Sequence, residues 1–168
     1  MYDILYTVSV GFKLIGDRGM MEIRELRTDD YTTVYGFIVN EMEHDEVSFE
    51  DMSASLDFMR DDSSYMLYVA ENNNKVVGFV SAVKMFGCVD GNYIEITCLA
   101  VSKDYQGKGI GKLLLEHIES LGRKNKIKTF SVTSGKKRVE AHTFYENNGY
   151  ERGGFVFYKG AVILEDNV

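Results

Sequence analysis

The sequence predicts a mixed α/β fold with one central sheet and helices on both of its faces. Two patterns lead to this prediction. Residues 65–71 and 75–85 are rich in apolar and aromatic side chains, and the three asparagines between them indicate a β-hairpin. From Ile110 to Leu121, apolar side chains and His117 recur at the spacing of one helix face.

Local start, stop and alternation signals predict the remaining elements. Residues 22–27 alternate as a short strand, and Thr28 or Asp29 can cap a helix from Asp30 to about Met42. Ser48, with acidic residues two and three positions later, begins a second helix. The later elements are a strand at 93–101, a helix that begins within 106–111 and stops near Gly122, a strand at 127–133, a helix at 138–147 closed by Asn148-Gly149, and a last strand at 155–159.

Composition excludes several classes of function. Acidic residues outnumber basic ones, 26 to 19, which argues against nucleic-acid binding because that function needs basic faces. No apolar run reaches the roughly 18 to 20 residues of a membrane span. Cys88 and Cys98 lack a CxxC spacing and the histidines are dispersed, so no metal site is predicted. We therefore expect a cytoplasmic protein without metal, nucleic-acid or membrane partners.

The first twenty residues differ from the rest of the chain. They contain a short apolar segment without the basic start or the cleavage site of a signal peptide. Met21 opens an alternating strand followed by a helix start, as many compact domains do. We expect residues 1–20 to be a leader, a non-natural extension or an extra edge strand, and residues 21–168 to form a single domain.

A glycine-rich turn precedes the 110–121 helix. Gly107, Gly109 and Gly111 fit neither the GxGxxG spacing of dinucleotide folds nor a P-loop. Glycines let backbone N–H groups approach an anion closely, and the first turn of a helix leaves such groups unpaired. Lys108 and Lys112 are unfavourable at a helix start unless an anion binds there. The alternative is a solvated basic turn, which explains the lysines but not the repeated glycines.

Two blocks of residues resemble known motifs. Gln106-x-x-Gly109-x-Gly111, after a strand ending in Cys-Leu-Ala-Val, resembles the acyl-CoA signature of the GNAT N-acetyltransferase superfamily. Ala141-His142-x-Phe144-Tyr145-Glu146-x-x-Gly149-Tyr150 resembles the C-terminal motif of the same superfamily. The resemblance covers about residues 21–159. It implies the GNAT fold, with a mostly antiparallel sheet that splays at the cofactor site, and acetyl-CoA as cosubstrate.

The resemblance also implies which residues hold acetyl-CoA. The strand before the turn would pair with the pantetheine arm, the turn would bind the pyrophosphate through its N–H groups, and His142 would lie on the cofactor side. The implied cofactor-binding residues are Leu99, Ala100, Val101, Gln106, Gly107, Lys108, Gly109, Ile110, Gly111, Lys112, His142 and Tyr145.

Acetyl transfer to an amine needs a base and an acid, because the acceptor ammonium must lose a proton and the departing thiolate gains one. Tyr145 resembles the tyrosine that serves as general acid in many members; the alternative is aromatic packing. Glu95 is the base candidate, since it is the lone charge in an apolar strand; the alternative is a salt bridge or an exposed edge. Strand alternation places Glu95 on one face with Thr97, Leu99 and Val101.

The resemblance further implies that the acceptor contacts the first two helices, their connection and the C-terminal strands. That connection carries a cluster of acids, which either form a solvated loop or attract a cationic amine. Glu43, Glu46 and Glu95 are the candidate acceptor-binding residues. We expect an N-acetyltransferase for a small amine, with a protein N-terminal or lysine acetyltransferase and a non-catalytic acyl-CoA-binding module as alternatives; a homodimer is compatible with each. The acidic residues of the cluster are Glu41, Glu43, Asp45, Glu46, Glu50 and Asp51.

Overall fold

A computed structural model describes residues 13–16, 19–42, 46–89 and 91–154 of the chain. The chain divides after Val132 into two compact units, which are described separately. The elements of the first unit are β1 (Lys13–Gly16), β2 (Gly19–Glu25), α1 (Tyr31–Asn40), α2 (Phe49–Asp61), β3 (Tyr65–Asn72), β4 (Lys75–Gly87), β5 (Gly91–Val101), α3 (Ile110–Lys124) and β6 (Thr129–Val132), with short 3-10 turns at Thr28–Asp30 and Lys103–Tyr105.

The first unit contains a six-stranded sheet in the order β1-β2-β3-β4-β5-β6. Every neighbouring pair is antiparallel except β5 and β6, which are parallel. The β3–β4 hairpin turns at Asn73 and Asn74, whose φ angles of 49° and 63° are the left-handed values that asparagine tolerates. The predicted mixed, mostly antiparallel sheet is confirmed.

Helices cover both faces of this sheet, as predicted. On β4, Phe79 belongs to the apolar cluster that α1 and α2 form with the sheet. The adjacent Gly78 faces the other way, where an added Cβ would lie 3.1 Å from Leu114 and 3.2 Å from Ile110 on α3. Because neighbouring residues of a strand point to opposite faces, α3 lies on the face opposite to α1 and α2.

Gly122 does not end α3, contrary to the sequence prediction. The helix continues to Lys124, and Gly122 is buried inside it. A Cβ at this position would lie 2.7 Å from the Phe130 ring and 2.8 Å from Ile94. Glycine is therefore required here by close packing of α3 on β5 and β6, and not by a helix stop.

A β-bulge at Thr97 corrects the predicted alternation of β5. Ser81 on β4 pairs with Cys98 while Ala82 pairs with Ile96, so Thr97 is an extra residue. One extra residue reverses the faces of all following side chains. Glu95 therefore shares the α1/α2 face with Thr97, Cys98 and Ala100, whereas Leu99 and Val101 point to the α3 face. The prediction that Glu95, Leu99 and Val101 lie on one face was wrong.

A buried ionic network fixes the start of α1. Arg24 on β2 donates hydrogen bonds to both carboxylate oxygens of Asp30 at 2.7 and 2.9 Å, and to Glu71 at 2.7 Å. Asp30 also accepts the backbone N–H of Arg27 at 2.8 Å. Burial alone would raise the pKa of Asp30, but the hydrogen bonds from Arg24 and Arg27 outweigh it and lower this pKa. The helix start thus depends on Asp30, not on the predicted cap at Thr28 or Asp29.

The second unit, from Thr133, contains the helix α4 (Val139–Asn147). Its predicted end is confirmed: Gly149 has a φ of 87°, and its N–H donates to the carbonyl of Glu146 at 3.0 Å. The strand predicted at 155–159 lies outside the described residues.

Candidate active site

The second half of β5 presents backbone groups at an open edge. Pairing of β5 with β6 ends at Ile96, while pairing with β4 continues to Val101. The N–H of Ser102 donates to the carbonyl of Val77 at 2.9 Å, so the backbone groups of Ser102 point toward β4. In an antiparallel pair the backbone groups of successive residues point alternately toward and away from the partner strand. Leu99 and Val101 consequently direct their N–H and C=O groups away from β4, whereas those of Ala100 point toward it.

The turn after β5 has the backbone that its glycines predict. Gly107 and Gly109 have φ angles of 70° and 82°, and each has open space where a Cβ would stand. Gly109 is the N-cap of α3 and provides no side-chain cap, so the first N–H groups of α3 have no acceptor within the helix. The side chain of Gln106 folds back to donate from Nε2 to the carbonyl of Val101 at 2.9 Å. The arrangement suits an anion above the helix start.

The two lysines of the turn have local partners. Lys108 Nζ donates to the carbonyl of Asp104 at 2.7 Å and lies over the Tyr105 ring. Lys112 Nζ is 3.8 Å from the carboxylate of Glu116 one helical turn later. Their presence at a helix start therefore does not by itself require an anion, and the glycine backbone is the stronger argument.

Glu41, immediately after α1, contacts the same turn. Its carboxylate accepts the N–H of Lys103 at 3.1 Å and the side-chain amide of Gln106 at 3.4 Å. Glu41 was expected in an acidic region on the acceptor side. Its contact with the turn was not predicted, because nothing in the local sequence pattern relates residues more than sixty positions apart.

Glu95 lies where β5 and β6 are still paired. It is opposite Ser131 on β6 and opposite Val83 on β4. The hydroxyl of Ser131 donates a hydrogen bond to Glu95 Oε2. Two residues further along β5, the Thr97 hydroxyl lies 2.7 Å from that of Ser81. The half-buried carboxylate thus stands in a row of hydroxyl groups on the α1/α2 face, and can accept a proton from a ligand on that face.

In the second unit, α4 positions Tyr145 and His142. Both side chains are half-buried. The ring of Tyr145 makes edge contacts with Phe144 and Tyr150, at centroid distances of 5.3 and 5.6 Å. His142 Nε2 lies 3.0 Å from the carbonyl of Gly135, and this nitrogen must donate because a carbonyl only accepts.

Comparison with known families agrees with this geometry. The model of the acetyltransferase (GNAT) family matches residues 20–150, which include β5, the glycine turn and α4. The chain belongs to the GNAT acetyltransferase family. An aminoalkylphosphonate N-acetyltransferase of Salmonella typhimurium is 30% identical over 139 residues, which cover 82% of this chain and 90% of that protein.

Solved structures share the GNAT fold of this acetyltransferase. The aminoglycoside N-acetyltransferase AAC(6')-Iy, solved in complex with CoA, aligns with a TM-score of 0.75 at 14% identity, over 88% of this chain and all of the other. The aminoglycoside acetyltransferase meta-AAC0020, from an uncultured soil metagenomic sample, aligns with a TM-score of 0.73 at 22% identity, over 84% of this chain and 97% of the other.

The acidic cluster of this GNAT protein is only partly a free charged surface. Glu43 and Asp45 lie outside the described residues. Ser48 Oγ accepts the Asp51 N–H at 3.0 Å, which confirms the predicted start of α2 and makes Asp51 part of a helix cap. Glu46 is exposed. Because Glu41 and Asp51 are engaged in these local contacts, fewer acids of the cluster are available to attract an acceptor.

His117 is buried on the predicted stripe of α3, with 6% of its surface exposed. Its ring packs against that of Tyr68 at a centroid distance of 4.3 Å. Burial, with the positive charge of Lys124, lowers the pKa of His117 to about 4. It is therefore a neutral core residue at pH 7.

The described residues contain neither a metal-ligand cluster nor a membrane-spanning helix. Among them, no three His, Cys, Asp or Glu side chains are grouped closely enough to hold a metal ion. None of the helices in residues 13–154 that are described is long and apolar enough to cross a membrane.

Proposed function

We propose that this GNAT protein transfers the acetyl group of acetyl-CoA to the primary amine of a small, cationic molecule. The observation that carries the proposal is a combination of two features of β5. Its backbone is open at Leu99 and Val101, and the carboxylate of Glu95 lies on the α1/α2 face, opposite to the side chains of Leu99 and Val101. One strand thereby offers backbone pairing to a donor and a base to an acceptor.

The residues of the turn suit the cofactor. The phosphates of CoA carry negative charge, and the first turn of α3 offers N–H groups beside glycines that leave space for close approach. Leu99 and Val101 can hydrogen-bond the amides of the pantetheine arm. The neighbour solved with CoA has the same fold, which supports this assignment. Acetyl-CoA supplies an activated thioester when bound.

The chain supplies the two proton transfers. Glu95 accepts a proton, directly or through water, from the ammonium of the acceptor, which becomes a nucleophilic amine. We assign to Tyr145 the opposite step, in which its hydroxyl donates a proton to the departing thiolate. The half-buried position of both side chains is compatible with contact to ligands.

The names of the relatives and the charge of the chain support the proposed acceptor class. The 30% identical Salmonella protein is named for aminoalkylphosphonates, and two neighbours are named for aminoglycosides. These substrate classes share an amine that is protonated at neutral pH. The acidic chain, with 26 acids against 19 bases, favours a cationic acceptor such as an aminoglycoside, whereas an aminoalkylphosphonate carries an anionic phosphonate beside its ammonium. Glu43 and Glu46 are assigned to the acceptor side.

A thiol-release assay tests the proposal. Purified protein and acetyl-CoA are incubated with 2-aminoethylphosphonate, kanamycin, spermidine and a lysine-containing peptide, and free CoA is measured. Turnover of a small amine supports the proposal, and turnover of the peptide alone favours a protein acetyltransferase. CoA binding by calorimetry without turnover of any acceptor contradicts the proposal and favours a binding module.

Two substitutions test the assigned roles. Glu95→Gln and Tyr145→Phe should each lower kcat by about a hundredfold to ten-thousandfold, the range of general acid–base contributions. Glu50→Gln and Tyr150→Phe are the matched controls, since Glu50 is an exposed acid on α2 and Tyr150 shares the aromatic contact of Tyr145. If Tyr145→Phe and Tyr150→Phe have equal effects, the acid assignment is wrong and Tyr145 only packs.

A further inference from the structure

Ser131 stands beside the proposed base by the register of the sheet. The parallel pairing of β5 with β6 sets Glu95 directly opposite Ser131. Directly paired residues project to the same face, and their side chains are close enough to interact. The Ser131 hydroxyl uses this proximity and donates to Glu95 Oε2. The contact between Ser131 and Glu95 is therefore a consequence of the strand register.

The position of Ser131 in β6 is also specific. β6 ends one residue later, at Val132, and pairing with β5 ends at the same point. Ser131 is thus the next-to-last residue of β6 that pairs with β5, just before β5 presents its open edge. On the other side of Glu95, β4 contributes the apolar Val83. Of the two residues paired directly with Glu95, Ser131 on β6 is therefore the one that offers a hydroxyl group.

We propose that Ser131 is a positioning residue for the base Glu95. By holding Oε2, its hydroxyl fixes the rotation of the carboxylate and directs Oε1 to the acceptor nitrogen. A base works only when its accepting atom lies within about 2.6–3.2 Å of the heavy atom that carries the proton, or one water away. This inference rests on the proposed function, and it adds a residue that belongs to neither motif of the sequence.

The proton transfer balances without a further reactant. An N–H bond of the acceptor ammonium breaks, an O–H bond forms at Glu95, and the nitrogen keeps the electron pair that attacks the acetyl carbon. Ser131 retains its own proton throughout, because it acts as a donor to Oε2. Its loss should therefore lower the rate without abolishing the chemistry.

Thr129 provides a matched control. It lies two residues before Ser131 on the same strand, so it projects to the same face, and it is paired with Tyr93 instead of Glu95. Ser131→Ala and Thr129→Ala each remove one hydroxyl from that face. Ser131→Thr keeps the hydroxyl and serves as the conservative rescue.

Steady-state kinetics with acetyl-CoA and 2-aminoethylphosphonate test the inference. We expect Ser131→Ala to lower kcat about tenfold with the KM for acetyl-CoA within twofold of wild type. Thr129→Ala should stay within twofold in both, and Ser131→Thr should recover most of the loss. A Ser131→Ala enzyme that matches Thr129→Ala overturns the inference.

A double-mutant cycle separates this inference from the proposed function. If Ser131 acts through Glu95, adding Ser131→Ala to Glu95→Gln should change kcat by less than twofold. A further tenfold loss in the double mutant means that Ser131 acts independently and overturns the inference alone. Wild-type activity of Glu95→Gln overturns the base assignment together with it.

The hydrogen bond can be checked without an acceptor. In protein labelled with ¹³C at glutamate side chains, the Glu95 carboxyl resonance is assigned by its absence in Glu95→Gln. It should shift in Ser131→Ala and stay unchanged in Thr129→Ala. An unchanged resonance in Ser131→Ala overturns the inference, even if 2-aminoethylphosphonate is not a substrate.

Discussion

Glu41 and Gln106 join the end of α1 to the turn after β5: Nε2 of Gln106 donates to the Glu41 carboxylate at 3.4 Å. The other carboxylate oxygen accepts the N–H of Lys103 at 3.1 Å. Gln106 also donates to Val101, at the open edge of β5. One carboxylate thus steadies both the edge and the turn that we assign to the cofactor.

We predict that Glu41→Ala raises the KM for acetyl-CoA about three- to tenfold with kcat within twofold of wild type. Exposed hydrogen bonds to a charged group contribute on the order of 1 kcal/mol, which corresponds to about this factor. Glu50→Ala removes an acid of the same cluster and is the control. Equal KM values for the two variants would mean that Glu41 does not organise the turn.

We predict that Gly109→Ala destabilises the protein and weakens CoA binding. A non-glycine residue at a φ of 82° costs about 1–2 kcal/mol, although nothing stands within 4 Å of the added Cβ. The melting temperature should fall by about 3 °C or more. Gly135→Ala also adds a Cβ in open space, without a positive φ, and should have little effect. Equal melting temperatures for the two variants would show that alanine is not strained at position 109.

We predict that Gly122→Ala lowers the free energy of unfolding by about 1–3 kcal/mol, as overpacking does in cores. The sign is informative, because alanine in place of glycine inside an unconstrained helix would stabilise by about 1 kcal/mol. Urea denaturation measures the change, and Ser120→Ala in the same helix is the control. Adding Phe130→Leu should recover part of the loss, since the Phe130 ring stands 2.7 Å from the new Cβ.

We predict that His117 makes stability depend on pH between about 6.5 and 4. Its pKa of about 4 in the folded protein lies below the ordinary value of 6.5, so between these values the unfolded chain binds the proton and the folded one does not. Its contribution is complete above pH 6.5 and is lost as pH falls, by about 2 kcal/mol at pH 5. In His117→Leu, the difference in unfolding free energy between pH 7 and pH 5 should shrink by that amount. In Ser120→Ala, which leaves all histidines in place, this difference should not change.

Periodicity predicted the elements of the sheet and helices well, because hydrophobic alternation and turn residues are local signals. The asparagine turn between β3 and β4, the Ser48 cap and the Gly149 helix end were all correct for that reason. An extra edge strand was one of the possibilities predicted for residues 1–20, and Lys13–Gly16 forms such a strand beside Gly19–Glu25.

Long-range packing could not be read in the same way. The sequence near Gly122 looks like a helix end, and only the position of Phe130 explains why glycine is needed inside the helix. The contact of Glu41 with Gln106 and the network of Arg24 with Asp30 likewise join residues whose proximity depends on the fold. Glu95 was recognisable as a lone charge in an apolar strand, but its partner Ser131 required the register of β5 and β6.

The extra residue Thr97 gives β5 two different side-chain phases along its length. Before Thr97, odd-numbered residues such as Glu95 face α1 and α2; after it, even-numbered residues such as Ala100 do. The one-residue offset therefore places the proposed base, Glu95, and the side chains of Leu99 and Val101 at the open edge on opposite faces of the strand, without any change in the direction of the strand. Deleting Thr97 would keep all the other side chains of the strand and still move those of one half to the opposite face of the sheet.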